Sequence, residues 1–166
     1  MEASELLGSA LFAERSAELS YRAKIASLGP TAVGFLGHRE TIELLTTAFG
    51  ESFVLSEGCS CTTFYQEGDH LGPHRDRPEE ECLVTIIVYL DTSSPAPESP
   101  GTGLVLQVYG QEMTGSSEPR LRIPTSPGAV VIGRGSRFWH ERPRLQTGER
   151  VVALTGCYKA FSPGAP

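Results

Sequence analysis

Short runs of β-branched and aromatic residues dominate the chain after Gly50, and they predict a mainly β structure. Glycine, proline and serine separate the runs, and no helical pattern lies between them. The predicted strands cover residues 53–55, 61–65, 83–90, 104–109, 120–123, 129–132, 137–140 and 150–158. Consecutive short strands joined by turns are typical of an antiparallel barrel or sandwich.

The first fifty residues have a different pattern, which predicts helices. Residues 4–28 are rich in alanine, glutamate and leucine, with Leu7 and Leu11 one helical turn apart, so one or two helices are expected there. A further helix is expected over residues 39–49, with Gly50 placed to end it. These helices are expected to pack on one face of the sheet.

A chain of 166 residues fits one domain with one core. We expect a single domain over residues 1–166, made of a helical support at 1–50, a barrel at 51–160 and a disordered tail at 161–166. The small polar residues, prolines and glycines of the segment 92–103 predict a mobile loop.

The charge balance limits the partners that the protein can have. Fourteen basic and twenty acidic residues give a net charge of −6, which disfavours a nucleic-acid partner because no basic surface would replace the counterions of phosphates. No apolar run approaches the roughly 20 residues of a membrane span. The acidic amino terminus does not resemble a secretory signal, so a cytoplasmic location is expected.

Four cysteines are present, at positions 59, 61, 82 and 157. Their spacing does not form the paired C-x-x-C of a structural zinc site. We therefore expect reduced thiols in strands or in the core.

The candidate chemistry lies in His74, Asp76 and His140. Residues two apart in an extended segment point to the same side, so His74 and Asp76 can face one ion. His140, in a later strand, supplies a third ligand if a barrel brings the strands together. Two imidazoles and one carboxylate leave open positions on a metal, as in non-haem iron(II) oxygenases, although zinc accepts the same ligands. His70 is the main rival ligand, but no carboxylate follows two residues later.

The order of motifs over residues 62–158 resembles the prolyl 4-hydroxylase branch of the 2-oxoglutarate/iron(II) dioxygenases. The series comprises His-x-Asp, Thr-x-x-x-Tyr-Leu-Asp, Gly-Ala-Val-Val, a later histidine and Gly-x-Arg. The resemblance implies a double-stranded β-helix, a jelly-roll or cupin-like barrel, with iron(II) bound by His74, Asp76 and His140 at one mouth.

The resemblance also implies the cosubstrates, 2-oxoglutarate and O2. Arg150 matches the family position whose cation pairs with the far carboxylate of 2-oxoglutarate, and Tyr65 and Tyr89 match tyrosines that hydrogen-bond it. A solvated surface role for Arg150 stays open as the alternative. Arginines 137, 142 and 144 are nearby in the chain and compete with Arg150 for binding the carboxylate of 2-oxoglutarate. The presence of Asp76, where related halogenases have a small residue, points to hydroxylation of a C–H bond.

The substrate is the least determined part of the prediction. The short chain and the absence of a basic groove favour a small molecule, such as an amino acid or a biosynthetic intermediate. Arg142 could bind a substrate carboxylate, and Trp139 could form a wall of the substrate pocket. The alternatives are a peptidyl prolyl hydroxylase, a non-catalytic metal-binding barrel and a zinc hydrolase of cupin-like architecture. The oligomeric state cannot be predicted from the sequence.

Overall fold

The computed structural model describes residues 2–9, 11–13, 20–95, 102–114 and 118–161. The helices are α1 (Glu2–Ser9), α2 (Pro30–Leu36) and α3 (Arg39–Phe49), and a short 3-10 helix lies at Glu57–Cys59. The strands are β1 (Leu11–Ala13), β2 (Tyr21–Ala26), β3 (Phe53–Leu55), β4 (Cys61–Tyr65), β5 (His70–His74), β6 (Val84–Ser93), β7 (Val105–Gly110), β8 (Leu121–Pro124), β9 (Val130–Gly133), β10 (Trp139–Arg142) and β11 (Arg150–Ala160).

The strands form one curled antiparallel sheet, in which nine follow the order β8-β7-β10-β5-β2-β4-β11-β6-β9. The other two are attached to this path, β1 to β2 and β3 to β11. Two four-stranded halves can be distinguished, β4-β11-β6-β9 and β5-β10-β7-β8, and β2 joins them. From β4 to β11 the chain passes repeatedly from one half to the other, which is the winding of a double-stranded β-helix. The predicted fold class is therefore confirmed.

The helices α2 and α3 pack on the half that contains β6 and β11. Leu36 and Leu45 are fully buried there against Tyr158, whose hydroxyl donates to the Leu36 carbonyl at 2.9 Å. The helix α3 has the predicted bounds, and Gly50 ends it with φ of 73°, a left-handed conformation that glycine adopts without strain. The expectation that the helix over residues 39–49 packs on one face of the sheet is thus correct.

The segment 4–28 differs from its prediction, because among its described residues only those of α1 are helical, and β1 and β2 follow as strands. The strand β2 pairs with β4 on one side and β5 on the other, with Lys24 opposite Phe64 and Tyr21 opposite Leu71. Helix propensity is a weak preference, and the unpaired edges of the two halves outweigh it. The supporting region is therefore mixed rather than helical.

Two further elements were not predicted from the sequence. The helix α2 begins at Pro30, a position where proline is well tolerated because its missing N–H would have no helical partner. The strand β5 contains Gly72 and Pro73, which do not resemble a strand pattern. A Cβ at position 72 would lie 2.8 Å from the carbonyl oxygen of Ser20, so glycine permits this close backbone contact.

Parts of the predicted loop and tail lie outside the described residues. Within the segment 92–103, β6 continues to Ser93, and residues 96–101 are not described. Thr102 and Gly103 both donate hydrogen bonds to the buried carboxylate of Glu149, so this end of the segment is fixed to the barrel. The predicted tail, apart from residue 161, is also outside the described part.

The expectation of reduced cysteines is wrong for two of the four. Cys82 and Cys157 form a disulfide with Cα atoms 5.0 Å apart, and Cys59 and Cys61 are free. Cys157 pairs with Thr85 across β6 and β11, which places it beside Cys82 just before β6. A separation of 75 residues in the chain hides this proximity from a spacing analysis.

Among the helices that the structure describes, none is both long and apolar enough to span a membrane.

Loss of the disulfide is expected to destabilise the protein. The Cys82→Ala/Cys157→Ala double variant should lose about 2–4 kcal/mol of unfolding free energy, since the crosslink restricts a long loop in the unfolded chain. Chemical denaturation measures this difference, with Cys59→Ala/Cys61→Ala as the matched control. Equal stability of the two double variants, or four titratable thiols in the unreduced denatured protein, would contradict the assignment.

Candidate metal centre and active site

His74 and His140 are neighbours across two paired strands. His74 is the last residue of β5, and the antiparallel register places it directly opposite His140 in β10. Their ring centroids are 4.2 Å apart. Strand alternation turns both imidazoles to the same face of the sheet, toward the interior of the barrel.

Asp76 completes the cluster. Its Oδ1 atom lies 3.6 Å from Nε2 of His74 and 3.4 Å from Nε2 of His140. One ligand atom from each of the three residues lies within 4.8 Å of the others. The three side chains that the sequence singled out as metal ligands are therefore brought together, with their donor atoms directed at a common point.

The hydrogen bonds of the two imidazoles select the tautomer that a metal requires. Nδ1 of His74 lies 2.9 Å from the Gly72 carbonyl, and Nδ1 of His140 lies 2.9 Å from the Phe138 carbonyl. A carbonyl oxygen can only accept, so each Nδ1 carries the hydrogen and donates it. In the neutral form, which is the form that binds a metal, each ring would offer the lone pair of Nε2 to an ion that Asp76 also faces, as in metal sites where a backbone partner fixes the second nitrogen.

The Asp76 carboxylate is held in place by its other neighbours. Its Oδ2 atom accepts a hydrogen bond from the Thr85 hydroxyl, and its backbone N–H donates to the Gly135 carbonyl at 3.0 Å. A Cβ at position 135 would overlap the carboxylate, so the glycine leaves the space that Asp76 occupies. Asp76 thus keeps Oδ1 facing the histidines.

The charges within the cluster are strongly coupled. Burial alone would raise the pKa of Asp76, but hydrogen bonds from His140 and His74 and the charge of His140 outweigh it and lower the pKa. Burial alone would lower the pKa of His140, and the hydrogen bond and charge of Asp76 raise it instead. Asp76 is therefore an anion, ready to bind a cation at this point.

The donor set fits a divalent transition metal. Two imidazole nitrogens and one carboxylate oxygen are the ligands of non-haem iron(II) sites with open coordination positions, and zinc is compatible with the same atoms. All three side chains are at most 16% exposed, so a bound ion would be shielded by the barrel.

A small cavity of about 60 Å³ begins at the cluster and extends into the barrel. Its walls come from strands of both halves: Thr63, Tyr65, Leu71, Thr85, Ile87, Tyr89, Leu106, Arg142, Ala153 and Thr155, together with the three cluster residues. Tyr65 and Tyr89 thus line the same cavity as the three cluster residues. Burial raises the pKa of both phenols, so they stay protonated near neutral pH.

Arg142 lies inside this cavity and is 4% exposed. It follows His140 by two residues in β10 and therefore points to the same face. Its guanidinium donates to the Tyr89 hydroxyl at 3.0 Å and contacts the Gly103 carbonyl at 3.4 Å. The guanidinium carbon also lies 5.2 Å and 5.3 Å from the ring centroids of Tyr65 and Tyr89.

Arg150 lies outside the cavity. Its side chain is 61% exposed and forms an ion pair with Asp91 at 2.8 Å. Along β11, Ala153 and Thr155 face the cavity, and alternation places Arg150 on the opposite face. The structure therefore does not bring Arg150 to the cluster of His74, Asp76 and His140, in contrast to the expectation from the motif.

Trp139 and His70 also lie away from the cluster. Trp139 alternates with His140 and faces outward, where the Arg75 guanidinium lies 5.4 Å from its ring centroid. Among the described residues, Trp139 lines none of the spaces that border the cluster. His70 lies in β5 rather than in a loop, and its Nε2 is 3.2 Å from the Ser20 hydroxyl.

A second space reaches the cluster from the open seam between β8 and β9, the two ends of the sheet. This apolar chamber has a volume of about 170 Å³. It shares Asp76, Thr85, Ile87, Leu106 and His140 with the inner cavity, and its other walls include Val108, Leu121, Ile123, Val131, Ile132 and Phe138.

A third, open groove lies against Asp76 and is lined by Arg75, Pro78, Glu79, Gln111, Glu112, Ser136 and Arg137.

Comparison with known structures gives consistent similarities. A prolyl 4-hydroxylase from Pseudomonas putida superposes over 91% of this chain and 78% of its own, with a TM-score of 0.61 and 17% identity. An oxidoreductase of the 2OG-Fe(II) oxygenase family from Burkholderia pseudomallei superposes over 94% and 76%, with a TM-score of 0.67 and 12% identity. The chain has the fold of the 2-oxoglutarate/iron(II) oxygenases.

A prolyl hydroxylase from Trichoplax adhaerens, solved with a peptide fragment of hypoxia inducible factor, is also similar. It superposes over 95% of this chain and 74% of its own, with a TM-score of 0.62 and 17% identity. No protein-family model matches the sequence, and no curated protein is similar to it at a significant level. The similarity is thus one of fold.

Two residues that shape the cluster, Thr85 and Gly135, have no role that the sequence predicted. Thr85 belongs to the recognised Thr-x-x-x-Tyr motif, and its hydroxyl proves to bind Asp76. Gly135 lies in the turn before β10, where nothing in a single sequence distinguishes a steric requirement from an ordinary turn glycine. The signal for Arg142 was its spacing of two residues from His140, which predicts a shared face.

Single removal of a cluster residue is expected to abolish tight metal binding. Changes to groups that only orient a ligand typically cost 10- to 100-fold in affinity, so His74→Ala, Asp76→Ala and His140→Ala should each cost more than about 100-fold. Anaerobic calorimetry with Fe(II) or Co(II) measures the loss. His70→Ala, four residues before His74 in the same strand, is the matched control and should bind as the wild type does. Equal weakening by His70→Ala would contradict the assigned ligand set.

Proposed function

We propose that this protein is an Fe(II)- and 2-oxoglutarate-dependent oxygenase that hydroxylates an aliphatic C–H bond of a small molecule. The observation that carries the proposal is the convergence of two Nε2 atoms and one carboxylate oxygen, at 3.6 Å and 3.4 Å, beside a buried cavity. The fold of oxygenases with 2-oxoglutarate and iron supports it.

His74, Asp76 and His140 would hold the iron, and Tyr65 and Tyr89 would border the bound 2-oxoglutarate. When bound, iron and 2-oxoglutarate would activate O2 as the oxidant: one oxygen atom would be inserted into the C–H bond, and the other would enter succinate as 2-oxoglutarate loses CO2. The protein's contribution is to orient the reactants and exclude water: the backbone carbonyls fix the imidazole tautomers, and Thr85 and Gly135 fix Asp76. No side chain is required to act as a general acid or base.

The apolar chamber supports a small substrate with an aliphatic part. Its walls are mainly leucine, isoleucine and valine side chains, and it ends at Asp76 and His140. A hydrocarbon group that enters the chamber would lose contact with water, which favours binding, and would place a C–H bond beside the metal ligands. A volume of about 170 Å³ suits a side chain or a short aliphatic acid.

Peptidyl prolyl hydroxylation is the second candidate. The open groove against Asp76, with Arg75 and Arg137 beside Glu79 and Glu112, offers polar partners of both signs to an extended peptide. The fold similarity to prolyl hydroxylases, one of them solved with a peptide, favours this alternative. A non-catalytic metal-binding barrel is less consistent with a complete donor set and an attached cavity.

The lack of a nucleic-acid partner remains part of the proposal, on the basis of the net charge of −6. A cytoplasmic location also remains part of it. The disulfide between Cys82 and Cys157 is the feature that favours an oxidising compartment instead.

Turnover of 2-oxoglutarate tests the proposed activity. The wild type with Fe(II), 2-oxoglutarate and O2 should form succinate, whereas Asp76→Ala should fall to the level without protein because one metal ligand is lost. His70→Ala should retain the wild-type rate. Metal-bound wild type that consumes no 2-oxoglutarate with any aliphatic acid, amino acid or prolyl peptide would contradict the proposal.

The same assay distinguishes the two substrate classes. Val108→Phe should fill the apolar chamber and lower turnover of a small aliphatic substrate. Arg75→Ala should leave that turnover unchanged, since Arg75 faces the groove. A prolyl peptide whose turnover falls in Arg75→Ala and is unchanged in Val108→Phe would favour the second candidate.

A further inference from the structure

We propose that Arg142, and not Arg150, binds the far carboxylate of 2-oxoglutarate in this protein. The inference rests on the proposed function and assigns a role that the family motif gives to a different residue. It starts from an unusual feature of the barrel, a buried arginine that faces the metal ligands without an acidic partner among the described residues.

The environment of Arg142 leaves its charge uncompensated. The residue is 4% exposed, and none of the ion pairs found within the described part of the chain includes it. Its hydrogen-bond acceptors are the neutral Tyr89 hydroxyl and the Gly103 carbonyl. Burial of an ionised group is costly unless an opposite charge pairs with it, so the cavity favours an incoming anion.

The acidic side chains around the cavity already have other partners. Asp76 is engaged by the two histidines and by Thr85. Glu149 is 4% exposed and accepts hydrogen bonds from the backbone N–H groups of Gly103 and Gln146, at 2.9 Å and 2.8 Å. A carboxylate from a ligand would therefore meet a guanidinium whose charge is available.

The two tyrosines complete a site for one carboxylate. Tyr65 and Tyr89 flank the guanidinium at 5.2 Å and 5.3 Å and restrict its plane. The Tyr89 hydroxyl accepts from Arg142, which leaves its own hydrogen to donate to a bound oxygen. A planar guanidinium binds a carboxylate through two parallel hydrogen bonds, which favours a carboxylate over other anions.

The spacing of Arg142 from the cluster suits a diacid. His140 and Arg142 are alternate residues of β10, so their Cα atoms are separated by about 6.6 Å along the strand. A ligand bound to the metal at its oxo-acid end would extend along this strand toward the guanidinium. The small volume of the cavity, about 60 Å³, fits a short, linear ligand.

The inward position near the start of β11 is occupied by an apolar residue instead. Val151 is fully buried and belongs to the cluster with Tyr65 and Tyr89, while Arg150 pairs with Asp91 at the surface. A difference of one residue in register exchanges the two faces of a strand. Within the cavity the cation is therefore Arg142 of β10, and β11 contributes no charged side chain to the described lining.

The experiment compares two ligands of equal length with two variants. Anaerobic calorimetry of the Mn(II)-loaded protein measures the affinity for 2-oxoglutarate and for 2-oxopentanoate, which lacks the far carboxylate. Arg142→Gln should weaken 2-oxoglutarate binding by about 10- to 100-fold, the effect of losing hydrogen bonds to a charged group. It should leave 2-oxopentanoate and Mn(II) binding unchanged. Arg150→Gln should leave both ligands within about twofold of the wild type.

The outcomes separate this inference from the proposed function. If Arg150→Gln weakens 2-oxoglutarate as much as Arg142→Gln does, or more, the assignment to Arg142 is overturned and the proposed function stands. Wild-type protein that binds Mn(II) but not 2-oxoglutarate overturns the proposed function itself. If Arg142→Gln melts at a much lower temperature than the wild type, Arg142→Lys is the variant to use, because it keeps the positive charge and loses the two parallel hydrogen bonds of a guanidinium. Arg142→Lys should weaken the binding of 2-oxoglutarate and not that of 2-oxopentanoate. An unchanged affinity for 2-oxoglutarate would count against the inference.

Discussion

The antiparallel pairing of His74 in β5 with His140 in β10 is the contact on which the rest of the site depends. This register places two imidazoles side by side, and the backbone carbonyl two residues before each one fixes its tautomer. Asp76 then needs only to follow β5 by two residues to reach both Nε2 atoms. The barrel around this pair serves to bury the cluster and to attach a cavity to it.

Asp76 and Arg142 carry opposite charges inside the same barrel, and each is surrounded by different groups. Asp76 is stabilised as an anion by the histidines and Thr85, which also keeps it available to a metal cation. Arg142 is surrounded by neutral aromatic rings and one carbonyl, so its compensation must come from a ligand. A cation bound at one end and a carboxylate at the other would neutralise both, which makes the interior of the barrel electrostatically complementary to a metal complex of an oxo diacid.

The sequence predicted those features that depend on local periodicity. The β-branched strands such as β6 and β11, the helix ended by Gly50, and the shared side of His74 and Asp76 all follow from residues near one another. The prediction from sequence failed where pairing between distant segments determines the structure. The residues of β2 have a helical pattern but form a strand because they pair with β4 and β5, and the disulfide joins cysteines 75 residues apart. Arg150 illustrates a further limit of prediction from a motif. The motif locates the start of β11, but a shift of one residue moves a side chain from the inner to the outer face of the strand.

The most direct test of the account is an anaerobic titration of the metal-free protein with Fe(II) and then 2-oxoglutarate, monitored by visible absorption. If the two histidines and Asp76 leave adjacent coordination positions open to the oxo acid, a metal-to-ligand charge-transfer band should grow to saturation at one equivalent of each. His74→Ala should not develop the band. A wild type that binds Fe(II) at this site but remains colourless with 2-oxoglutarate would contradict the account and favour a metal-binding barrel without oxygenase chemistry.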